Sequence, residues 1–234
     1  MDFAEIMQLL ASEADRNAVE GMARYGIVTD DALGISVTRL REIAKQVGTD
    51  HGLARRLWAS GIHEARILAA LVDDPERVSE KQAESWVRAV DSWDLCDLLC
   101  SNLLDRTPFA WVKASEWPGC DEEFVKRAGF VLMAALAVHD RESGDERFES
   151  LLPLIVRESQ DPRKYVKKAV SWALRQIGKR NGPLNTKAVR TAEEIGSIDS
   201  PTARWISSDA LRELTSDKVS EMIERRRAAS EARR

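Results

Sequence analysis

Three cysteines, three histidines and two tyrosines are all that 234 residues hold of those types. Cys96, Cys100 and Cys120 are odd in number and lack a C-x-x-C pair, so structural disulfides are not expected and buried, reduced thiols are. His51, His63 and His139 are scattered along the chain, which argues against zinc and iron–sulfur sites; no metal or organic cofactor is expected. No apolar run approaches the roughly 20 residues that cross a bilayer. The opening stretch, MDFAEIMQLLASEADRN, is amphipathic and acidic and lacks the basic start and small-residue cleavage site of a secretory signal. A cytoplasmic protein with no membrane partner is expected. Period-two alternation is nowhere sustained, which removes sheets from the expected architecture.

What the chain does have is helical periodicity. The spacing predicts two helices within Asp2–Arg24, a loop from Tyr25 to Ile35, and a helix capped by Ser36. Short helices then follow in pairs: His51–Ala59 with Ile62–Val72, and Ser79–Val90 with Ser92–Leu104. A short helix over Phe109–Ala114 ends at Trp117-Pro118-Gly119. A long apolar helix over Asp121–Val138 is paired with one over Glu146–Glu158, and three more helices run from Asp161 to Leu214. Pairs recurring about every 35–45 residues predict an all-α protein, an α-solenoid of degenerate HEAT-like hairpins with a concave basic face. One repeat domain is expected over residues 1–220, with a charged tail over 221–234 that is frayed or disordered.

The helix DPRKYVKKAVSWALRQIGKR, Asp161–Arg180, organises the reading. Asp161-Pro162 reads as an N-cap and first-turn proline. Val166, Val170, Ala173, Leu174 and Ile177 form an apolar stripe, while Lys164, Lys168, Trp172, Arg175 and Lys179 share another face. Residues 161–190 carry a net +8 in a chain of net −4, so the remainder carries −12. Such a polarised surface suits a polyanion such as a nucleic-acid backbone, although a basic ridge is also what a solvated face looks like.

Two further stretches stand out. In SWDLCD, Trp93 and Asp97 lie four apart on one helical face, with Ser92 as the expected cap. The alternative there is a surface acid beside a half-buried indole. In DEEFVKRAGFVLMAALAV, Arg127 emerges from an unusually apolar helix and needs an anionic partner, either Asp97 or a phosphate. Trp58, Trp86 and Trp111 fall where helix pairs should pack; Trp117, in a turn, and Trp205, beside Arg204, are open to either a packing or a binding role.

The order and spacing of WDLCD, KRAGFVLM and YVKKAVSWALRQIGKRN, with YGIVTDDALGISVTRLREIAK before them, resemble the AlkD-type DNA alkylation-repair glycosylases, built from HEAT-like repeats. The resemblance covers most of the chain, from about Tyr25 to the helix after Trp205. It implies a monofunctional glycosylase, without lyase activity, that removes cationic N3- or N7-alkylated purines from double-stranded DNA, acting as a monomer in the cytoplasm at the nucleoid. By the family pattern Trp93 and Trp172 would flank the lesion's deoxyribose, with Asp97 close to the anomeric carbon. Arg127 would hold the DNA backbone, with the ridge of Lys164, Lys168, Arg175 and Lys179 on phosphates. Members of the family present a tyrosine from the N-terminal helix near the lesion, and Tyr25 is the nearest candidate here. Two other functions fit the residues: a non-catalytic module that binds unusual DNA structures, and a protein-binding scaffold.

Overall fold

Helix starts follow the local chemistry of the chain. The computed structural model describes residues 1–231, which are helical apart from their connections. Asp2, Asp15, Ser36, Asp50, Ser79, Asn181 and Ser200 each accept a backbone N–H in the first turn of the helix that follows. The chain falls into two compact units that divide after Ala110. The first holds α1 (Phe3–Ser12), α2 (Arg16–Arg24), α3 (Val37–Val47), α4 (His51–Ala59), α5 (His63–Val72), α6 (Glu80–Arg88) and α7 (Trp93–Asn102). At the boundary lies α8 (Ala110–Glu116). The second unit continues with α9 (Glu123–His139), α10 (Asp145–Glu149), α11 (Leu152–Arg157), α12 (Lys164–Gly178), α13 (Gly182–Ser197), α14 (Pro201–Leu214) and α15 (Asp217–Glu231).

Within each unit the main packing joins helices one or two apart in sequence. In the first unit α5 meets α4, α3 and α7; in the second, α12 meets α13 and α14, and α13 meets α11. That is the contact pattern of stacked two-helix repeats. The pairing of α9 with α12 spans three positions because the arm between them is broken into α10 and α11. A continuous Glu146–Glu158 helix was expected; the chain instead turns at Ser150-Leu151, and Pro153 sits in the first turn of α11, where it needs no intrahelical donor.

Helix α9 supplies the centre of the second unit, with every residue from Val125 to Ala137 buried. At Gly129 an added Cβ would run into the Pro118 ring, so glycine lets the turn Trp117–Gly119 lie directly on α9. Trp117 is consequently 1% exposed and belongs to the core, which settles its role as packing. Trp58 and Trp86 stack face to face at 4.2 Å, as core positions should. Trp111 is half-buried, its Nε1 donating to Asp140 at 2.9 Å and its ring edge-on to Phe148.

Two helix starts differ from expectation because their cap residues are used elsewhere. Ser92 is fully buried and its Oγ accepts from the Val28 N–H at 2.9 Å, so it ties a loop to α7 and caps nothing. Asp161 accepts from the Arg163 N–H at 3.0 Å and lies 3.5 Å from Lys126 Nζ of α9. With that carboxylate turned to its own neighbours, α12 begins at Lys164 and not at Pro162. The charged tail is helical through Glu231, and Arg226 donates to the Lys179 carbonyl at 2.6 Å. Its last residues, 232–234, lie outside those described.

Candidate nucleic-acid interface

The first unit builds its candidate surface on α7. Leu95, Cys96, Leu99 and Cys100 are wholly buried, which leaves Trp93 and Asp97, one turn apart, on the partly exposed side. The Trp93 indole N–H donates to the Tyr25 carbonyl at 3.2 Å, so the ring is fixed by the end of α2. Tyr25 itself is 73% exposed, so the residue whose carbonyl holds the indole keeps its own side chain open to solvent. The thiol of Cys100, on the buried side, is no candidate nucleophile. Burial pushes its pKa well up, and Cys96, Asp97 and Asp105 push it further.

The loop that carries Tyr25 to Trp93 is fastened from several sides. Glu64, in the first turn of α5, is fully buried; Oε2 accepts from the Leu33 N–H at 2.8 Å, and Oε1 from Gly34 at 2.7 Å and Ile35 at 3.3 Å. The Asp15 N–H donates to the Leu33 carbonyl and the His63 N–H to the Asp31 carbonyl. Gly34 has φ of +82°, and a side chain there would run into the Asp15 carbonyl. The sequence carries no sign of this arrangement, since a glutamate one position into an apolar helix does not point to three amides about thirty residues earlier.

His63 adds a titrating link. Its Nε2 lies 2.9 Å from Asp94 Oδ2, next to Trp93, and the imidazole is 5% exposed. Burial alone would lower its pKa, but the Asp94 hydrogen bond and the charges of Asp94, Glu64 and Asp91 outweigh it, and the pKa is raised. The folded state therefore holds this proton more tightly than the unfolded chain does. The resulting stability is fully present below the unfolded value of about 6.5 and is lost as pH rises through the raised folded value. A thermal midpoint followed across that window should fall more in the wild type than in His63→Asn. Parallel curves would remove His63 as the source.

In the second unit Arg127 is 4% exposed and one of its terminal nitrogens donates to the Tyr165 carbonyl at 2.5 Å, in the first turn of α12. Beside it Lys126 binds Glu158 at 2.5 Å, and the Phe124 and Tyr165 rings stack at 5.9 Å. These contacts lock the start of α12 to α9. The basic ridge then divides. Lys164 and Lys168 are exposed and Trp172 is half-buried. Arg175 and Lys179 are both engaged by Glu213 of α14, the lysine at 2.5 Å, and Arg175 also lies 3.5 Å from Asp209. Burial would raise the Glu213 pKa, yet the bonds from Lys179 and Arg175 hold it below the usual carboxylate value. Open positive charge on α12 is thus concentrated in its first two turns.

Among the described residues, no group of three or more His, Cys, Asp or Glu side chains could hold a metal ion, and no helix is long and apolar enough to cross a membrane.

Comparison with known proteins bears on both fold and function. The family model described as DNA alkylation repair enzyme matches residues 6–214. A solved structure from a family of proteins related to the HEAT-like repeat DNA glycosylases, with affinity for branched DNA structures, aligns with TM-score 0.77 and 21% identity, over 92% of this chain and 96% of that one. At that identity the likeness establishes the fold: the all-α, HEAT-like architecture expected from the sequence. A designed armadillo repeat protein in complex with a (KR)4 peptide aligns over 80% of each chain with 14% identity and TM-score 0.36, too loose a match to argue from. Comparison with curated proteins finds no match.

Proposed function

The chain belongs to the DNA alkylation repair enzyme family, and from that premise we propose that it is a monofunctional DNA glycosylase acting on cationic N3- or N7-alkylated purines in duplex DNA. The observation that carries the reading is Asp97: a partly exposed carboxylate one turn from Trp93, on a helix whose other face is sealed in the core.

The chemistry asks little more of the protein. An alkylated purine is already positively charged, so its glycosidic C1′–N bond can break with the electron pair passing to the base, which leaves neutral and needs no strong general acid. Positive charge then develops on the sugar. A carboxylate at Asp97 stabilises that oxocarbenium character and accepts a hydrogen bond from the water that adds to C1′, drawing off its proton. The indole face of Trp93 attracts the same developing cation. Arg127, Lys164 and Lys168 take phosphates. Arg175 and Lys179, sharing Glu213, contribute field more than direct contact. No amine nucleophile is involved, so the product is an abasic site in an unbroken strand.

The test is release of free 7-methylguanine or 3-methyladenine from methylated duplex DNA, with strand breaks appearing only after added alkali. No base release together with tight, salt-dependent binding would instead favour a non-catalytic reader of DNA structure. That second reading draws support from the branched-DNA affinity of the structurally similar family.

A further inference from the structure

Beyond the residues assigned to the ridge, one partly exposed cluster on the second unit has the makings of a nucleic-acid contact. Lys167, on α12, holds its Nζ 4.8 Å from the centre of the Trp205 ring, on α14. Trp205 is 38% exposed, and its indole N–H donates to no residue among those described. Lys167 forms no ion pair with any described carboxylate; its partner is the indole face. Lys167 and Lys168 stand three and four residues beyond Lys164, so each neighbours it on the helix surface.

The charge along α14 explains why this corner differs from the rest of the ridge. Further along the α12–α14 contact, Ser171 donates to Asp209 at 2.7 Å, and Arg175 and Lys179 meet Glu213. Each basic group there has an acid facing it. The first two turns of α14, PTARWISS, contain no acid, and what they set opposite Lys167 is Trp205. The nearest acid before them, Asp199, is fully exposed and bound to Arg204 at 3.1 Å. An ammonium resting on an indole keeps its full charge and gives up little on leaving for a phosphate, whereas one bonded to a carboxylate must break that bond first.

We propose that Lys167 and Trp205 form a second contact for the phosphate backbone of duplex DNA, outside the predicted ridge: Lys167 neutralises a phosphate while the Trp205 N–H donates to one of its oxygens. This rests on the reading that the chain binds DNA, and is independent of whether it excises bases. The probe is a short undamaged linear duplex, with affinity followed by fluorescence anisotropy over a salt series. Lys167→Gln should weaken binding roughly three- to tenfold at low salt and make the log–log salt slope shallower by about one. Lys167→Arg should restore both. Trp205→Phe, which keeps a ring under the lysine but removes the donor, should weaken binding with the slope unchanged, and Trp205→Ala should weaken it further. Arg225→Gln, an equal charge loss on α15, should do neither.

Wild-type affinity in Lys167→Gln and Trp205→Ala overturns the proposal. So does an unchanged slope in Lys167→Gln, a failure of Lys167→Arg to rescue, or an equal loss in Arg225→Gln. Because no base release is read, the two proposals fail separately. A wild-type chain that excises nothing but passes these tests sinks only the glycosylase reading. One that excises methylpurines and ignores both substitutions sinks only this contact.

Discussion

Asp97→Asn is expected to lower the release of 7-methylguanine from methylated duplex DNA by roughly a hundred- to a thousandfold, the usual cost of removing one well-placed electrostatic stabiliser. Affinity for the same duplex should stay within about twofold, because the substitution is nearly isosteric and phosphate contacts, which dominate DNA affinity, lie elsewhere. The site favours a clean result. Asp97 sits in the middle of α7, its own carbonyl accepting from Ser101 Oγ at 2.6 Å, and the amide keeps the length and shape of the side chain it replaces. Measured at saturating enzyme, the loss should fall on the chemical step and leave half-saturation unchanged. An Asn variant that releases base at the wild-type rate would remove Asp97 from the mechanism. Parallel losses of rate and affinity would make it a DNA-binding group instead.

What could be read from the chain in advance divides along sequence distance. Trp93 and Asp97 were legible because four residues along a helix fix a shared face, whatever the helix packs on. Arg127 was legible because a guanidinium in the run from Phe124 to Val138 must be buried, and burial demands partners; the Tyr165 carbonyl as one of them could not be named, since it lies 38 residues on. Ser36 capped as expected, while Ser92 and Asp161, with equally good local signals, did not. Ser92 is taken by the Val28 amide, 64 residues earlier, and Asp161 by the amide and guanidinium of Arg163, two residues on, with Lys126 of α9 at 3.5 Å; a capping pattern registers none of these competitors. The ridge on α12 shows the same limit in charge. Its five positions share a face, but whether each cation is open or spent depends on which acids α14 brings opposite, and Glu213 takes two of them.

The largest stability effect should come from a residue that sequence reasoning passed over. Glu64→Gln is expected to destabilise the protein by about 2–4 kcal/mol, lowering the thermal midpoint by roughly 5–12 °C for a chain of this size. Both oxygens of the buried carboxylate accept, and all three donors are backbone N–H groups of Leu33, Gly34 and Ile35. A glutamine has one acceptor oxygen in place of two. Whichever way its amide turns, an NH2 group faces a backbone N–H, so at least one buried donor loses its partner and meets a like group. The damage should also be local before it is global. Amide exchange at Leu33, Gly34 and Ile35 should rise well above that of the α5 core in the variant, because those three N–H groups are what the carboxylate holds. The same loop leads back to Tyr25, whose carbonyl fixes the Trp93 indole, so base release should fall in Glu64→Gln even at temperatures where the fold is intact. A midpoint within about 1 °C of wild type, with those amides still protected, would mean that the loop is held by Ser92 and Asp15 and that Glu64 is dispensable to it.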